Sequence, residues 1–283
     1  MNNVDLYAVI GNPVAHSKSP LIHAEFARQT GQDMEYGRLL APLDGFRAAV
    51  DAFRRQGGRG LNVTLPFKLE AFALADRRSQ RALDAEAANT LKFDADSVFA
   101  DNTDGVGLLR DLEVNLRFPL AGCRILVMGA GGAAQGTLGP LIAARPALLT
   151  VANRTLDKAQ RLVTRFGAAA SASGTRLQAS SYQALAGRGF DLVVNGTSAS
   201  LLGAGLPGAL PELPGGVFAI GGLAYDMMYG NGLTAFLQHA QGLGAARLAD
   251  GIGMLVEQAA ESFLLWRGVR PHTAPVIAQL KTL

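Results

Sequence analysis

The sequence predicts an α/β protein of two domains. Three observations carry that expectation. The chain has 283 residues, more than one hydrophobic core ordinarily serves. Short apolar runs alternate along it with stretches of helical period. Midway, one apolar run leads into a glycine-rich turn and a new helix, which opens a second series of the same alternation. Hydrophobic residues make up 49% and charged residues 17%, an ordinary balance for a chain that buries a sizeable core.

In chain order, Leu6 to Ile10 reads as a strand. Ser19-Pro20 opens a helix, with Ser19 as N-cap, Pro20 in the first turn and Gly31 as the stop. Arg38 to Ala41 is a second short strand. Phe46, Ala49, Val50 and Phe53 share one helical face, and Gly57-Gly58 ends that helix. Leu61 to Thr64 is a third strand, and Pro66 opens the next helix. Thr90 to Phe93 and Val98 to Ala100 form a hairpin around Asp94-Ala95-Asp96. The second series begins with a strand from Arg124 to Met128, then a helix to about Arg145. It continues with a strand (Leu148 to Ala152), a helix (Thr155 to Phe166), and strands at Phe190 to Asn195 and from Val217 to Ile220 or beyond. Strands separated by such helices indicate parallel βαβ units. Segments 167–175 and 199–216, rich in Gly, Ser, Ala or Leu, read as surface loops.

Net charge is +3, without a run of five or six like charges, which argues against a nucleic-acid partner. The single cysteine, Cys123, reads as a buried structural thiol in a reducing compartment. The N-terminus lacks the pattern of a signal peptide and the apolar stretches are too short to span a bilayer, so a cytoplasmic protein without membrane contact is expected. The four histidines are scattered and predict no metal site.

The strongest local signal is Gly129-Ala130-Gly131-Gly132-Ala133-Ala134 between a strand and a helix. Gly129 lets the chain turn tightly, Gly131 lets backbone approach a pyrophosphate, and Ala134 lets the helix pack close to the strand. The helix N-terminus then offers free N–H groups to phosphates. After the second strand of this unit come Asn153, Arg154 and Thr155, with Lys158 one turn on. A dinucleotide site for NAD carries a carboxylate there for the ribose 2′-OH. A guanidinium in its place favours the 2′-phosphate of NADP.

A second cluster precedes that turn: Gly11-Asn12-Pro13-Val14-Ala15-His16-Ser17-Lys18-Ser19-Pro20, Asn62-Val63-Thr64-Leu65-Pro66-Phe67-Lys68, Asn89-Thr90 and Asp101-Asn102-Thr103-Asp104-Gly105. Each lies at a strand end, where ligand clefts of α/β folds form. They supply hydroxyls, amides, an ammonium and a carboxylate, the assortment a small polyhydroxylated molecule needs. Ser19 can be a plain cap or an anion ligand, and Asp104 can cap a helix, orient Lys68, or both. Tyr225 can be core or site, and Gln258 can face solvent or the site.

These motifs resemble the shikimate dehydrogenase family. Tyr225-Asp226-Met227 and the run from Asp250 to Ala260 match it too, in family order from about residue 7 to 280. The resemblance implies NADP-dependent reduction of 3-dehydroshikimate to shikimate, in aromatic amino acid biosynthesis. It implies an α/β substrate domain (1–104 plus 250–283) beside a Rossmann NADP-binding domain (105–249), with a cleft that closes on ligand. Lys68 and Asp104 would be the catalytic pair. Ser17 and Ser19 would hold the substrate carboxylate with help from Tyr225. Asn62, Thr64, Asn89 and Gln258 would hold ring hydroxyls or the pair, and Met254 would lie near the nicotinamide. The cofactor contacts would come from Gly129, Ala130, Gly131, Gly132 and Ala133, and from Asn153, Arg154, Thr155 and Lys158. A monomer or homodimer is implied. A paralogue that accepts quinate, or a non-catalytic ligand-binding member, is the alternative.

The chain departs from the family pattern at Ala85-Glu86-Ala87-Ala88-Asn89, where Glu86 stands for a glycine and Ala88 for a valine. A Glu86 aimed at the cleft would oppose an anionic substrate; one aimed at solvent would do nothing. A protonated Lys68 suits reduction, because hydride transfer leaves negative charge on the ketone oxygen, which an ammonium stabilises and then protonates.

Overall fold

The computed structural model describes residues 4–197, 210–230 and 232–282. Two compact units divide the chain: Met1–Leu108 with Leu255–Leu283, and Leu109–Met254. Among the described residues no helix is long and apolar enough to cross a membrane.

The first unit is built on a mixed sheet of β1 (Asp5–Gly11), β2 (Met34–Leu40), β3 (Gly58–Val63), β4 (Arg77–Arg78), β5 (Thr90–Phe93) and β6 (Val98–Asp101). Their order is β2-β1-β3-β5-β6-β4. β1 pairs parallel with β2 and β3, whereas β5 runs antiparallel to β3 and β6. The start of β5 therefore lies at the same sheet edge as the ends of β3 and β6. The helices are α1 (Ser19–Thr30), α2 (Phe46–Arg55), α3 (Lys68–Leu74), α4 (Gln80–Ala85), α5 (Asp104–Arg110), α9 (Ile252–Arg267) and α10 (Ala274–Leu280). β1 is a central strand and reads as a continuous apolar run, with Tyr7 to Ile10 buried. One core joins Ile10, Phe46, Val50, Leu61, Val63, Phe67 and Leu91. α1 and α9 meet through Phe26 and Phe263, whose rings stand edge to face at 5.7 Å. Further along α9, the Trp266 indole donates to the Leu91 carbonyl at 3.0 Å.

The second unit is a six-stranded sheet of β7 (Arg124–Met128), β8 (Leu148–Ala152), β9 (Arg176–Ser180), β10 (Phe190–Asn195), β11 (Phe218–Asp226) and β12 (Arg247–Ala249). Every pairing is parallel and the order is β12-β11-β10-β7-β8-β9. Counted from β7, that is the 3-2-1-4-5-6 order of a Rossmann sheet, in which the order reverses between β7 and β10. The connections include α6 (Gly132–Ala143), α7 (Leu156–Ser173) and α8 (Ala235–Gly242).

Three expectations need correction, and one edge strand is additional. Ser19 is the first residue of α1 rather than its cap; Lys18 precedes it, and the Ser19 hydroxyl pairs with Ser17. The segment 167–173 is helix, because its alanines favour that state, and the stop is Gly174 in the left-handed conformation (φ 78°). β9 is an additional edge strand, whose Arg-Leu-Gln-Ala-Ser run alternates polar and apolar residues over only two apolar positions. Cys123 is only half-buried, its thiol donating to the Pro119 carbonyl at 3.0 Å. Of the predicted loop 199–216, residues 199–209 lie outside the described residues; in the rest, Leu213 packs into the core beneath β10.

Candidate active site

At the edge where β3 and β6 end and β5 begins, Lys68 and Asp104 meet. Each is the first residue of a helix, Lys68 of α3 and Asp104 of α5. Lys68 Nζ donates to Asp104 Oδ2 at 2.5 Å. The side chains retain 24% and 11% exposure, so solvent-borne ligand can reach the ammonium while the carboxylate is largely shielded. The other oxygen, Asp104 Oδ1, accepts from Asn89 Nδ2 at 2.8 Å. Asn89 is buried, and its Oδ1 accepts from the Thr103 main-chain N–H at 2.9 Å and from Thr90 Oγ1 at 3.0 Å. The amide is thereby held with Nδ2 toward the carboxylate. Gln258, on α9, faces this group: its Oε1 accepts from Asn89 Nδ2 at 3.1 Å, and its Nε2 donates to the Leu255 carbonyl at 2.8 Å.

Asn62 extends this network through Thr90 and the Asn89 carbonyl. Its Oδ1 accepts from the Tyr36 hydroxyl at 2.7 Å and faces His23 Nε2 at 3.1 Å. Its Nδ2 donates to Ser262 Oγ at 2.9 Å, Thr90 Oγ1 at 3.2 Å and the Asn89 carbonyl at 3.3 Å. His23 is buried against the stacked Tyr36 ring, 4.1 Å away between centroids, and desolvation lowers its pKa from 6.5 to about 3. It is therefore neutral at pH 7 and acts as a packing and hydrogen-bonding group.

Ser17 and Ser19 form a hydroxyl pair at the start of α1, with Oγ atoms 3.1 Å apart. The Ser19 main-chain N–H also points at Ser17 Oγ, at 3.2 Å. Thr64 is half-buried beyond β3, its methyl packed so closely on Gly11 that a Cβ there would sit 2.4 Å away. Glu86 is exposed, in the left-handed conformation (φ 48°) at the C-terminus of α4. That backbone conformation is the one glycine adopts without strain.

In the second unit, β7 leads into Gly129, whose φ is 99° and whose N–H donates to the Ala152 carbonyl at 2.8 Å. A Cβ on Gly131 or Gly132 would meet nothing within 4 Å, so the space over this turn is open. Gly131 caps α6, which leaves the N–H groups of Gly132, Ala133 and Ala134 without helical partners, as a pyrophosphate requires. Ala134 is buried at the close approach of α6 to Gly196. Arg154, Thr155 and Lys158 are exposed beyond β8 at the start of α7, and Asn153 Nδ2 braces that turn by donating to the Thr155 carbonyl at 2.9 Å. These residues fit an anionic dinucleotide with an additional phosphate on its ribose. Tyr225 is fully buried, and its hydroxyl donates to Asp111 Oδ2 at 2.7 Å. Met254, in the first turn of α9, is buried as well.

Several residues of these networks carried no sequence-based role. Ser262 stands one helical turn after Gln258, a spacing that could have flagged it. Tyr182 has no such signal; it sits beside Gly129 and Arg154, and burial raises its pKa to about 12. At the ends of β10 and β11, buried Asn195 donates to Asp226 Oδ1 at 3.0 Å and accepts from Thr197 Oγ1 at 2.7 Å. Asp111 has no motif around it.

Comparison with known proteins assigns the three parts of the chain consistently. Residues 9–91 match the shikimate dehydrogenase substrate binding domain, 113–203 the shikimate/quinate 5-dehydrogenase family and 251–281 the shikimate 5′-dehydrogenase C-terminal domain. The shikimate dehydrogenase (NADP(+)) of Aromatoleum aromaticum is 61% identical over 278 residues, 98% of this chain and 97% of that protein. An Ael1 enzyme from Pseudomonas putida has a crystal structure that aligns with TM-score 0.88 at 54% identity, covering 98% of each chain. The shikimate 5-dehydrogenase of Thermus thermophilus, in complex with NADP(H) and shikimate, aligns with TM-score 0.85 at 33% identity over 98% of this chain and 99% of that one.

Proposed function

The chain belongs to the shikimate dehydrogenase family, and we propose that it interconverts 3-dehydroshikimate and shikimate, with NADPH as reductant and NADP⁺ as the product cofactor. The observation that carries the chemistry is the 2.5 Å contact of Lys68 Nζ with Asp104 Oδ2 at a partly exposed sheet edge. NADPH, when bound, supplies the hydride that adds to the ketone carbon. The charge left on the ketone oxygen is met by the Lys68 ammonium, which first donates a hydrogen bond and then the proton that completes the alcohol. In the reverse direction Lys68 takes that proton back. Asp104 keeps the ammonium in place and is itself kept in place by Asn89.

The remaining roles follow from chemistry and position. Ser17 and Ser19 present hydroxyls and an N–H to the substrate carboxylate. Thr64, Asn89 and Gln258 surround the ring hydroxyls. Asn62 has its amide engaged by Tyr36, Ser262 and Thr90, so we assign it to support of Asn89 rather than to direct contact. A donor bond from Tyr225 to substrate would replace its bond to Asp111. Met254 is assigned to the nicotinamide side. Gly129 to Ala133 cradle the pyrophosphate, while Arg154 and Lys158, on the turn shaped by Asn153 and Thr155, take the 2′-phosphate. The unit carrying Lys68 is the substrate domain, and the unit carrying Gly129 is the NADP domain. We assign the protein to the cytoplasm, as a monomer or homodimer.

Steady-state rates with shikimate and quinate, each with NADP⁺ and NAD⁺, test this reading. Shikimate with NADP⁺ is expected to give the highest kcat/KM. Comparable rates for quinate with NAD⁺ would assign the protein to a quinate-using branch. Ligand-induced stabilisation without any change in absorbance at 340 nm would make it a binding protein.

A further inference from the structure

Strand β2 carries Tyr36 and Arg38 two residues apart, and therefore on one face. Tyr36 reaches Asn62, as described. Arg38 donates from Nη2 at 2.6 Å and from Nε at 3.2 Å to the main-chain oxygen of Ser17. Ser17 is thus held at three atoms. Its N–H donates to the Val14 carbonyl at 3.1 Å, its carbonyl accepts from Arg38, and its hydroxyl pairs with Ser19. Arg38 is exposed and forms no ion pair with a carboxylate among the described residues. A guanidinium has five N–H donors in a fixed plane, and a single carbonyl engages only two of them here. The group therefore brings an uncompensated positive charge and further donors to the Ser17 turn.

We propose that Arg38 is a specificity-determining residue for anionic substrate: it locks the Ser17 hydroxyl in register with Ser19 and supplies the positive charge that selects a carboxylate over a neutral group. The proposal rests on the reading that Ser17 and Ser19 hold the substrate carboxylate. Hydroxyls and the N-terminus of α1 bind a carboxylate somewhat more tightly than a neutral ester carbonyl, because the acceptor is charged, and a nearby guanidinium widens that difference. Arg38 provides one at a distance of a single hydrogen bond from the Ser17 main chain.

The test compares shikimate with its uncharged methyl ester at saturating NADP⁺, in the full-length wild-type, Arg38→Met, Arg38→Lys and Ser17→Ala proteins. Arg38→Met is expected to lower kcat/KM for shikimate about three- to fivefold, chiefly through KM, and to leave the ester within about 1.5-fold. Arg38→Lys restores part of the shikimate loss, because the charge returns without the planar fork. The salt dependence of kcat/KM for shikimate should flatten in Arg38→Met. Equal losses on both substrates, no loss on either, or an Arg38→Lys protein as impaired as Arg38→Met at unchanged melting temperature each overturn the proposal. Ser17→Ala separates this from the reading beneath it. If Ser17→Ala weakens shikimate and ester equally, the carboxylate assignment falls, and the Arg38 role with it. If Ser17→Ala is selective and Arg38→Met is not, only the Arg38 role falls.

Discussion

Around Asp104 the polar side chains face one another, whereas around Gly131 they face open space. In the first unit, Asn89, Asn62, Thr103 and Thr90 are buried and bonded in a chain that ends on the carboxylate holding Lys68. In the second, the groups available to a ligand are main-chain N–H groups at the α6 N-terminus, beside glycines with open space over them, and exposed cations at the start of α7. A site made of mutually satisfied buried groups transmits any single loss to its neighbours. A site made of backbone and exposed charge does not, so changes there act on ligand affinity and leave the fold alone.

The largest effect is expected at Lys68. Lys68→Ala should lower kcat by about 10²- to 10⁴-fold with KM changed far less, because the ammonium matters most when charge develops on oxygen. Steady-state kinetics decide this, and a nearly unchanged kcat would remove Lys68 from the chemistry. Next comes Asn89→Ala, which strips Asp104 Oδ1, Thr103 and Thr90 of a shared partner. It should reduce kcat and also destabilise the protein by about 2–4 kcal/mol, since buried polar groups lose their bonds. Urea unfolding measures the second part; full stability would mean that the network is dispensable.

His23 gives a pH-dependent test of the same buried layer. Its folded pKa of about 3 lies below the unfolded value of 6.5, so the unfolded chain binds the proton first. This group's penalty is absent above the unfolded pKa and grows as pH falls toward the folded one. Between pH 6.5 and 5 it should remove about 2 kcal/mol of stability. His23→Gln should show a correspondingly flatter acid limb in urea midpoints taken across that range. In the second unit, Arg154→Ala should raise KM for NADP⁺ about tenfold, leave NAD⁺ unaffected and keep the melting temperature. Equal loss on both cofactors would place the guanidinium elsewhere. The smallest effect is at Glu86, whose φ of 48° suits glycine. Glu86→Gly should stabilise by about 0.5–1 kcal/mol without altering kcat/KM, because the side chain is exposed.

Much of this was legible along the chain. The strand of Arg124 to Met128 and the glycine turn after it stand out because they are local: hydrophobic period, then the residue types a sharp turn and a close approach demand. The hairpin around Asp94 is local in the same way. The short edge strands β4 and β9 are hard to read, since β4 has only two residues and β9 alternates over just two apolar positions, Leu177 and the small Ala179. The helical state of 167–173 is not legible, because small residues suit loops and helices alike.

Linear order alone specifies the alternating architecture, the cofactor turn and the residue types that the chemistry requires, since each depends on neighbours within a few positions. Which of those residues work as a set is settled by folding. Asn62 and Ser262, or Tyr225 and Asp111, are separated by more than a hundred positions, and their hydrogen bonds exist only where sheet and helix bring them together. Side-chain hydrogen bonds reach about 3 Å, and nothing in the succession of residues along a chain specifies distances on that scale.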